Sequence, residues 1–398
     1  MTRDRKQYAE LFFGLYFIYY GSYSVFSAYS VLFLTSHGFS PTVCGLVTSL
    51  ALLFSLVMEP VAGYATDTIL TTRQCLSLFI FTALPVCVLG TLWADNPVMC
   101  AAGIVILVGL IYPFAHLIDA WTTCSAELDP GIIYSRVRAG GSIGFALFSA
   151  LEGLFFRSAG FRYFFLVPAA QLLLILVFLH RLPNNTLRNR RGVDIAGHLS
   201  FWNSVRILLR NRPYMIFLLI STLYWFSNKL VGGYLSLIVM DRSGDAGVYG
   251  NICSAGTIVE FLFLLLVARR TNPGTQGIRH RLRTAFLTLT IRPLLLCLFP
   301  ALSAVLLGQL WMSVSFAALY SGNVHCFSIL SDPRIKNFSV SAGLTLSSAA
   351  GMMSANLVGG LICERLGLTA LCRVSAVSAI AAALLYFSLL DIHCQKTV

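Results

Sequence analysis

Seven charged side chains lie inside stretches of the chain that are otherwise apolar. A charge within a continuous apolar stretch is costly to bury and usually pairs with another charge, a backbone carbonyl or a ligand. The seven are Glu59, Asp119, Arg138, Glu152, Lys229, Glu260 and Arg292, and the polar residues His116, Asn228, Gln309, His325 and Asn356 accompany them. These residues are the candidates for a binding or ion-coupling site.

Asp119 and Arg138 stand on either side of a short polar turn at residues 127–131. If the flanking stretches form antiparallel helices, the two side chains reach similar depths. A carboxylate beside a guanidinium can accept from and donate to the vicinal hydroxyls of a sugar, with the arginine acting as a planar fork. Phe145 lies on nearly the same helix face as Arg138 and can stack on a ligand. The alternatives are a salt bridge that only joins two helices, and simple packing for Phe145.

A second candidate set lies in the other half of the chain. Glu260 and Arg292 occupy the middle of successive apolar stretches. Burial favours the protonated form of a carboxyl group, whereas a nearby arginine favours the ionised form, and such opposed influences suit a proton-coupling site. A static ion pair is the equal alternative. Asn228 and Lys229 add polar groups for a ligand, and His325 can relay protons near neutral pH.

Membrane-spanning helices are the elements that must position these residues. Of the 398 residues, 57% are hydrophobic and 11% are charged, with a mean hydropathy of +0.78, far from the globular average. The apolar stretches reach about 20 residues, enough to cross a hydrocarbon core of about 30 Å, and they are too continuous for barrel strands. We predict an all-α integral membrane protein with twelve spans, near residues 11–34, 41–64, 75–93, 98–123, 136–156, 161–180, 213–235, 247–268, 284–300, 303–330, 338–361 and 367–391.

The distribution of lysine and arginine predicts the orientation, because cytoplasmic loops carry the excess of both. With the N-terminus inside, the outer side holds only Arg157, Arg162, Arg242, Arg365 and Arg373. We therefore expect a multi-pass protein of the cell membrane with both termini cytoplasmic. The net charge of +12 then reflects topology, which argues against binding to nucleic acid.

The longest polar interval, residues 181–212, divides the predicted spans into two groups of six. This layout predicts an N-terminal bundle at 1–180, a basic cytoplasmic linker at 181–212 and a C-terminal bundle at 213–398. The linker arginines suit anchoring to anionic lipid headgroups, with a regulatory partner as the alternative.

Other classes of function find little support in the sequence. The 11 cysteines lie mostly within spans and form no C-x-x-C pair, so we interpret them as packing residues and expect no metal site. There is no H-E-x-x-H, G-x-S-x-G or P-loop pattern, so we expect neither an enzyme nor a bound cofactor.

The stretch YSRVRAGGSIGFA, Tyr134–Ala146, is similar to a motif of the major facilitator superfamily, in the group around lactose permease and the oligosaccharide–proton symporters. The resemblance implies two six-helix bundles that alternate access to a central site. It also implies that Arg138 is the sugar-binding arginine, that Asp119 is its acidic partner, and that Phe145 replaces a stacking tryptophan.

A second motif of the superfamily resembles the segment from Glu59 to Asp67. Gly63, Asp67 and Arg73 match its glycine, acid and base, although the usual glycine after the acid is absent. In the superfamily this loop between spans two and three stabilises one conformation of the transport cycle, and the resemblance implies the same role here.

The resemblance extends to the proposed coupling residues with one departure. Arg292 matches the cavity arginine of span nine, and Glu260 lies within a few residues of the group's span-eight glutamate. The proton-coupling histidine and glutamate of span ten in lactose permease have no counterpart around Ala317 and Tyr320, and His325 is out of register. Glu260 is therefore expected to take over the proton-coupling role of the missing span-ten residues.

We predict a secondary active transporter that moves a small polar solute, first of all a sugar or glycoside, by proton-coupled alternating access. A drug or metabolite exporter, or a nucleoside carrier of the same fold, is the first alternative, and a non-transporting membrane sensor or scaffold is the second. The expected partners are a small-molecule substrate, protons and membrane lipids, and we expect a monomer. The predicted substrate ligands are Asp119, Arg138, Phe145, Asn228 and Lys229, and the predicted coupling residues are Glu260, Arg292 and His325.

Overall fold

A computed structural model describes residues 2–129, 131–182, 201–268 and 275–390 of the chain, and these residues are almost entirely helical. The helices are α1 Thr2–Ser36, α2 Pro41–Thr68, α3 Thr72–Leu92, α4 Pro97–Ile111, α5 Phe114–Leu128, α6 Tyr134–Ala159, α7 Leu166–Arg181, α8 Phe201–Arg210, α9 Arg212–Ser243, α10 Ala246–Ala268, α11 Thr275–Leu289, α12 Ile291–Leu298, α13 Leu302–Leu330 and α14 Lys336–Leu385. Most of the predicted basic linker, residues 183–200, lies outside the described residues.

Ten helices of the described residues are long and apolar enough to cross a membrane. The difference from the predicted twelve has two causes. The predicted ninth span is divided between α11 and α12, and neither part alone is long enough. The predicted eleventh and twelfth spans follow each other within α14, where Gly367 leaves helical geometry at φ 82°. A positive φ is readily adopted only by glycine, so Gly367 separates two spans.

The predicted fourth span is bent between α4 and α5. Pro113 stands at the break, with Tyr112 before it, because proline has no N–H to donate and so interrupts the helical hydrogen bonds. The hydroxyl of Tyr19 on α1 donates to the Tyr112 carbonyl at 3.3 Å. The bend therefore ties α5, which carries Asp119, to α1.

Helices α1 and α6 approach each other closely through glycines. A Cβ at Gly140 would lie 2.6 Å from the carbonyl oxygen of Phe13, and a Cβ at Gly144 would overlap the backbone of Phe17. Small residues allow such contacts between helices in a membrane. The face of α1 that carries Phe13 and Phe17 therefore lies directly against the helix that carries Arg138.

The contacts separate the chain into two compact units. Unit 1 comprises Met1–Val193 and Ser243–Ile258, and unit 2 comprises Asp194–Arg242 and Val259–Val398. Within unit 1, Arg157 of α6 forms an ion pair with Asp245 at 3.0 Å. Within unit 2, a core of fully buried aromatic residues includes Tyr214, Phe217, Tyr224, Phe286 and Phe327.

The glycine contact predicts a specific stability effect. Gly144→Ala should lower the thermal unfolding midpoint of the purified protein in detergent, because the added methyl group overpacks against the Phe17 backbone, at a cost of about 1–3 kcal/mol. Gly63→Ala is the matched control, since a Cβ at Gly63 meets no atom within 4 Å. Equal midpoints for the two variants would contradict the proposed contact.

Candidate functional site

Asp119 and Arg138 meet in unit 1, as the sequence predicts. The Arg138 Nε lies 3.6 Å from the Asp119 Oδ1, and each side chain keeps 31% of its surface exposed. A carboxylate and a guanidinium are thus paired without being sealed from a ligand. The geometry is compatible with both predicted roles, a ligand site and a link between helices.

Two tyrosines of α1 hold this pair in place. The Tyr16 hydroxyl donates to the Asp119 Oδ1 at 2.5 Å, and the Arg138 Nη2 donates to the Tyr20 hydroxyl at 2.5 Å. The Arg138 guanidinium carbon also lies 4.3 Å from the centre of the Tyr20 ring, a distance at which the ring face attracts a cation. The positions of Asp119 and Arg138 therefore depend on α1.

The pair retains hydrogen-bonding capacity for a ligand. Within the described residues, neither the second carboxylate oxygen of Asp119, Oδ2, nor the Arg138 Nη1 takes part in a hydrogen bond. An acceptor and a donor are thus left side by side on a partly exposed surface. This is the arrangement that a diol or another pair of neighbouring polar groups can satisfy.

A row of tyrosines continues the site along α1. We use "tyrosine cluster" for Tyr16, Tyr19, Tyr20 and Tyr23 of α1 together with Tyr112 at the bend before α5. The ring of Tyr23 lies 4.5 Å from that of Tyr112 and 6.3 Å from that of Phe145 on α6. Tyr16 and Tyr19 are buried, whereas Tyr20, Tyr23 and Tyr112 are partly exposed. Phe145 thus packs against the tyrosine cluster, which reaches Arg138 through Tyr20, and its predicted contact with a ligand stays a prediction.

A signal for these aromatic residues was present in the sequence. The segment YFIYYGSY places tyrosines at positions 16, 19, 20 and 23, which is the spacing of one helix face. Hydropathy groups tyrosine with the apolar residues of the predicted first span, so it does not distinguish this row as a polar face.

In unit 2, Arg292 is buried and donates hydrogen bonds to neutral oxygen atoms. Its side chain is 3% exposed. The Nη2 donates to the main-chain oxygen of Asn228 at 2.5 Å and to its Oδ1 at 3.2 Å, and the Nη1 donates to the Gln309 Oε1 at 3.2 Å. Arg292 therefore links α9, which carries the predicted ligands Asn228 and Lys229, to α13, and its contacts differ from those of Arg138.

Two other predicted residues of unit 2 lie near Arg292. Glu260 and Arg292 both interact electrostatically with the Tyr224 hydroxyl, so these two predicted coupling residues lie near the same tyrosine. Lys229 interacts electrostatically with Arg292. A Cβ at Gly233 would lie 3.6 Å from the Lys229 Cε and 3.2 Å from the Asn356 Oδ1, which places both polar side chains next to that glycine.

Comparison with known proteins identifies the family. The model of the MFS_1 like family matches residues 11–374. The chain belongs to this family. The resemblance to the major facilitator superfamily and the all-helical membrane fold are thereby confirmed, and the protein is a multi-pass secondary transporter of the MFS type.

Solved structures with the same fold are distant in sequence. An aspartate-to-alanine mutant of the nucleoside transporter NupG has a TM-score of 0.80 at 17% identity, covering 98% of this chain and 99% of that chain. A bacterial homologue of the human lysosomal transporter Spinster, inward-facing and unoccupied, has a TM-score of 0.65 at 16% identity, covering 99% and 97%. A POT family transporter in complex with a thioalcohol-conjugated peptide has a TM-score of 0.72 at 13% identity, covering 95% of each chain. No curated protein matches the chain.

One predicted coupling residue of this MFS transporter lies apart from the others. His325 is exposed on α13, sixteen residues beyond Gln309, which places it about 24 Å along the helix from the residue that contacts Arg292. The structure therefore does not bring His325 together with the Arg292 cluster.

The predicted conformational loop joins the end of α2 to the capped first turn of α3. Gly63 and Asp67 lie within α2, and Arg73 lies in the first turn of α3. Thr71 and Gln74 form a capping box around Arg73. The main-chain N–H of Gln74 donates to the Thr71 Oγ1 at 3.2 Å, and the main-chain N–H of Thr71 donates to the Gln74 Oε1 at 2.9 Å. The side chains of Asp67 and Arg73 make no hydrogen bond or ion pair with other described residues, so their conformational role stays a prediction.

Two further polar candidates from the sequence meet beside the pair of unit 1. The His116 Nε2 lies 3.7 Å from the Glu59 Oε1, which links α5 to α2 one turn before Asp119. His116 is largely exposed, and exposed pairs of this kind contribute little to stability. We interpret this contact as a link between helices.

The burial of Arg292 predicts that lysine cannot replace it. Arg292→Lys should lower the thermal unfolding midpoint in detergent, because an ammonium group cannot reproduce the planar fork that serves three oxygen atoms. Each buried acceptor left unpaired costs about 1–3 kcal/mol. Arg334→Lys is the control, since its pair with Asp332 at 2.8 Å is exposed, and no loss is expected there. If Arg292→Lys were as stable as this control, the structural role would be wrong.

Proposed function

We propose that this MFS transporter moves a small polar solute containing a sugar across the cell membrane by alternating access, and that the Asp119–Arg138 pair binds it. The observation that carries the proposal is the partly exposed pair, in which one carboxylate oxygen and one guanidinium nitrogen have no partner in the described residues. Two adjacent sugar hydroxyls supply the donor and the acceptor that these atoms lack.

The aromatic surroundings favour one kind of sugar-containing solute as a second candidate. Tyr20 contacts Arg138, and a series of ring contacts continues from it to the partly exposed rings of Tyr23, Tyr112 and Phe145. A nucleoside carries a ribose diol and an aromatic base, so it can use the charged pair and the rings together, whereas a free sugar uses the rings only through its C–H faces. NupG, which shares the fold, is a nucleoside transporter by its description.

The remaining predicted roles belong to the same proposal. Arg292 donates to the main-chain oxygen and to the Oδ1 of Asn228. The side-chain NH2 group of Asn228 then donates to the substrate, and Lys229, next in sequence, is a second donor. Glu260 near Arg292 is the proposed proton carrier in unit 2. We propose a monomer in the cell membrane with both termini cytoplasmic, and protons as the coupling ion.

Uptake into proteoliposomes tests the role of the pair. With a panel of labelled disaccharides, monosaccharides and nucleosides, we expect uptake of at least one compound by the unmodified protein. Asp119→Asn and Arg138→Lys should each reduce that uptake about tenfold or more, since a lost charged contact of about 1.4 kcal/mol corresponds to a factor of ten. Arg136→Lys, an exposed position on the same helix, should transport normally. Full uptake by Arg138→Lys would contradict the proposal.

The aromatic rings allow the two solute classes to be separated. Tyr23→Leu and Phe145→Leu should each weaken the binding of a competing nucleoside, because a stacked base contributes about 1–3 kcal/mol to binding. The binding of free sugars should weaken less. The measurement is inhibition of uptake by unlabelled compounds. An equal loss for both classes would favour a free sugar or glycoside over a nucleoside.

A further inference from the structure

A second carboxyl group lies deep in unit 1, away from the Asp119–Arg138 pair. Glu152 of α6 is 3% exposed. It follows Arg138 by fourteen residues, about 21 Å along the helix. It is therefore too distant to serve the same ligand contacts, and no role in the proposed site accounts for it.

Only neutral groups hydrogen-bond to Glu152. The Ser24 Oγ of α1 lies 2.6 Å from the Glu152 Oε2, and the Gln171 Nε2 of α7 lies 3.1 Å from the Oε1. Within the described residues, no basic side chain lies within ion-pair distance of Glu152. An ionised carboxylate in such surroundings would be a buried and unpaired charge, which is strongly unfavourable.

Counting protons around Ser24 leads to the same conclusion independently. The Ser24 Oγ lies 2.7 Å from the carbonyl oxygen of Gly21 as well as 2.6 Å from the Glu152 Oε2. One hydroxyl group has one proton, so it can donate to only one of these two oxygens at a time. Both short contacts are satisfied if the carboxyl group carries a proton on Oε2, donates it to the Ser24 Oγ, and leaves the serine proton for Gly21.

The neighbouring amide adds no charge that would stabilise an ionised Glu152. The Gln171 Nε2 donates to the Glu152 Oε1, while the Gln171 Oε1 is buried and has no hydrogen-bond partner in the described residues. Gln171 is therefore a neutral donor to one carboxyl oxygen, and a proton on the other oxygen, Oε2, leaves that contact unchanged.

The surrounding helices offer no charge that would stabilise the ionised form. The titratable or charged groups near Glu152 are Tyr29 on α1, Arg157 on α6, Arg162 in the turn before α7, and Asp245, Tyr249 and Cys253 on the chain at the start of α10. The Tyr29 hydroxyl donates to the Ser149 carbonyl at 2.5 Å. The positive charge of Arg157 is paired with Asp245 at 3.0 Å, and Arg162 is exposed. None of these groups replaces the missing proton.

We propose that Glu152 is a proton-binding site of the transport cycle, protonated in the conformation described and ionised in a conformation that admits water to it. On ionisation the carboxyl O–H bond breaks, the proton passes to a water molecule, and the Ser24 hydroxyl turns from Gly21 to the carboxylate. Because the two conformations bind the proton with different affinity, a proton gradient shifts their populations. The inference rests on the proposed proton-coupled transport, and it adds a coupling group in unit 1 to Glu260 in unit 2.

Infrared difference spectroscopy of the purified protein tests the protonation without any substrate. We expect a carboxylic acid C=O band that disappears on titration to alkaline pH, is absent in Glu152→Gln, and persists in Glu260→Gln and in the exposed control Glu10→Gln. Absence of the band in the unmodified protein, or its persistence in Glu152→Gln, would overturn the assignment. If Glu152→Gln does not fold, Ser24→Ala replaces it, and a change in the frequency and the titration midpoint of the band is then expected.

Transport measurements test the coupling. In proteoliposomes, Glu152→Gln should lose accumulation driven by a pH gradient at least tenfold, while exchange of labelled for unlabelled substrate stays within about twofold of the unmodified protein, because exchange needs no net release of a proton. Accumulation that remains driven by the gradient in Glu152→Gln would overturn the coupling role. If the unmodified protein transports no compound of the panel, the proposed function fails, and the infrared result still decides whether Glu152 binds a proton.

Discussion

The close contact between α1 and α6 is the interaction on which unit 1 depends. Gly140 and Gly144 bring the backbone of α6 against α1, and the α1 residues spaced by four then meet the polar groups of the neighbouring helices. Tyr16 reaches Asp119, Tyr20 reaches Arg138, and Ser24 reaches Glu152. A separation of the two helices by the width of one methyl group would lengthen the contacts of Tyr20 with Arg138 and of Ser24 with Glu152, which both join α1 to α6. A packing feature without polar atoms therefore controls the geometry of both the candidate ligand site and the buried carboxyl group.

The two central arginines show how burial divides one residue type into two roles. Arg138 keeps part of its surface and one nitrogen available, because its partners are one carboxylate oxygen and the hydroxyl and ring of Tyr20. Arg292 is surrounded by the oxygen atoms of Asn228 and Gln309, which replace the water it loses. A guanidinium bound in this way stabilises the arrangement of its helices. An accessible guanidinium beside a carboxylate is suited to bind a solute.

The sequence was sufficient to predict the helical fold and the Asp119–Arg138 contact. It was insufficient where the role of a residue depends on its neighbours in the folded structure. Apolar stretches of membrane length predict helices reliably because backbone groups in lipid must bond within the helix, and the short turn after α5 made the Asp119–Arg138 contact foreseeable. The breaks at Pro113 and Gly367 arise from single residues within apolar stretches, so hydropathy alone does not reveal them. His325 lies apart from Arg292 because its distance depends on the register of α13, which residue type does not indicate.

Glu152 shows why a charged residue in a span cannot be interpreted from its position alone. In the sequence, Glu152 lies near the end of the predicted fifth span, five residues before Arg157, and this position alone does not distinguish an interfacial residue from a functional one. In the fold, Arg157 pairs with Asp245, and the Glu152 carboxyl faces Ser24 and Gln171 instead. The nearest cation in the sequence is thus taken by another acid, and the carboxyl group is left with neutral donors. In a medium where unpaired charge is so unfavourable, a proton is the ligand that satisfies this group, which makes Glu152 sensitive to every movement that changes its access to water.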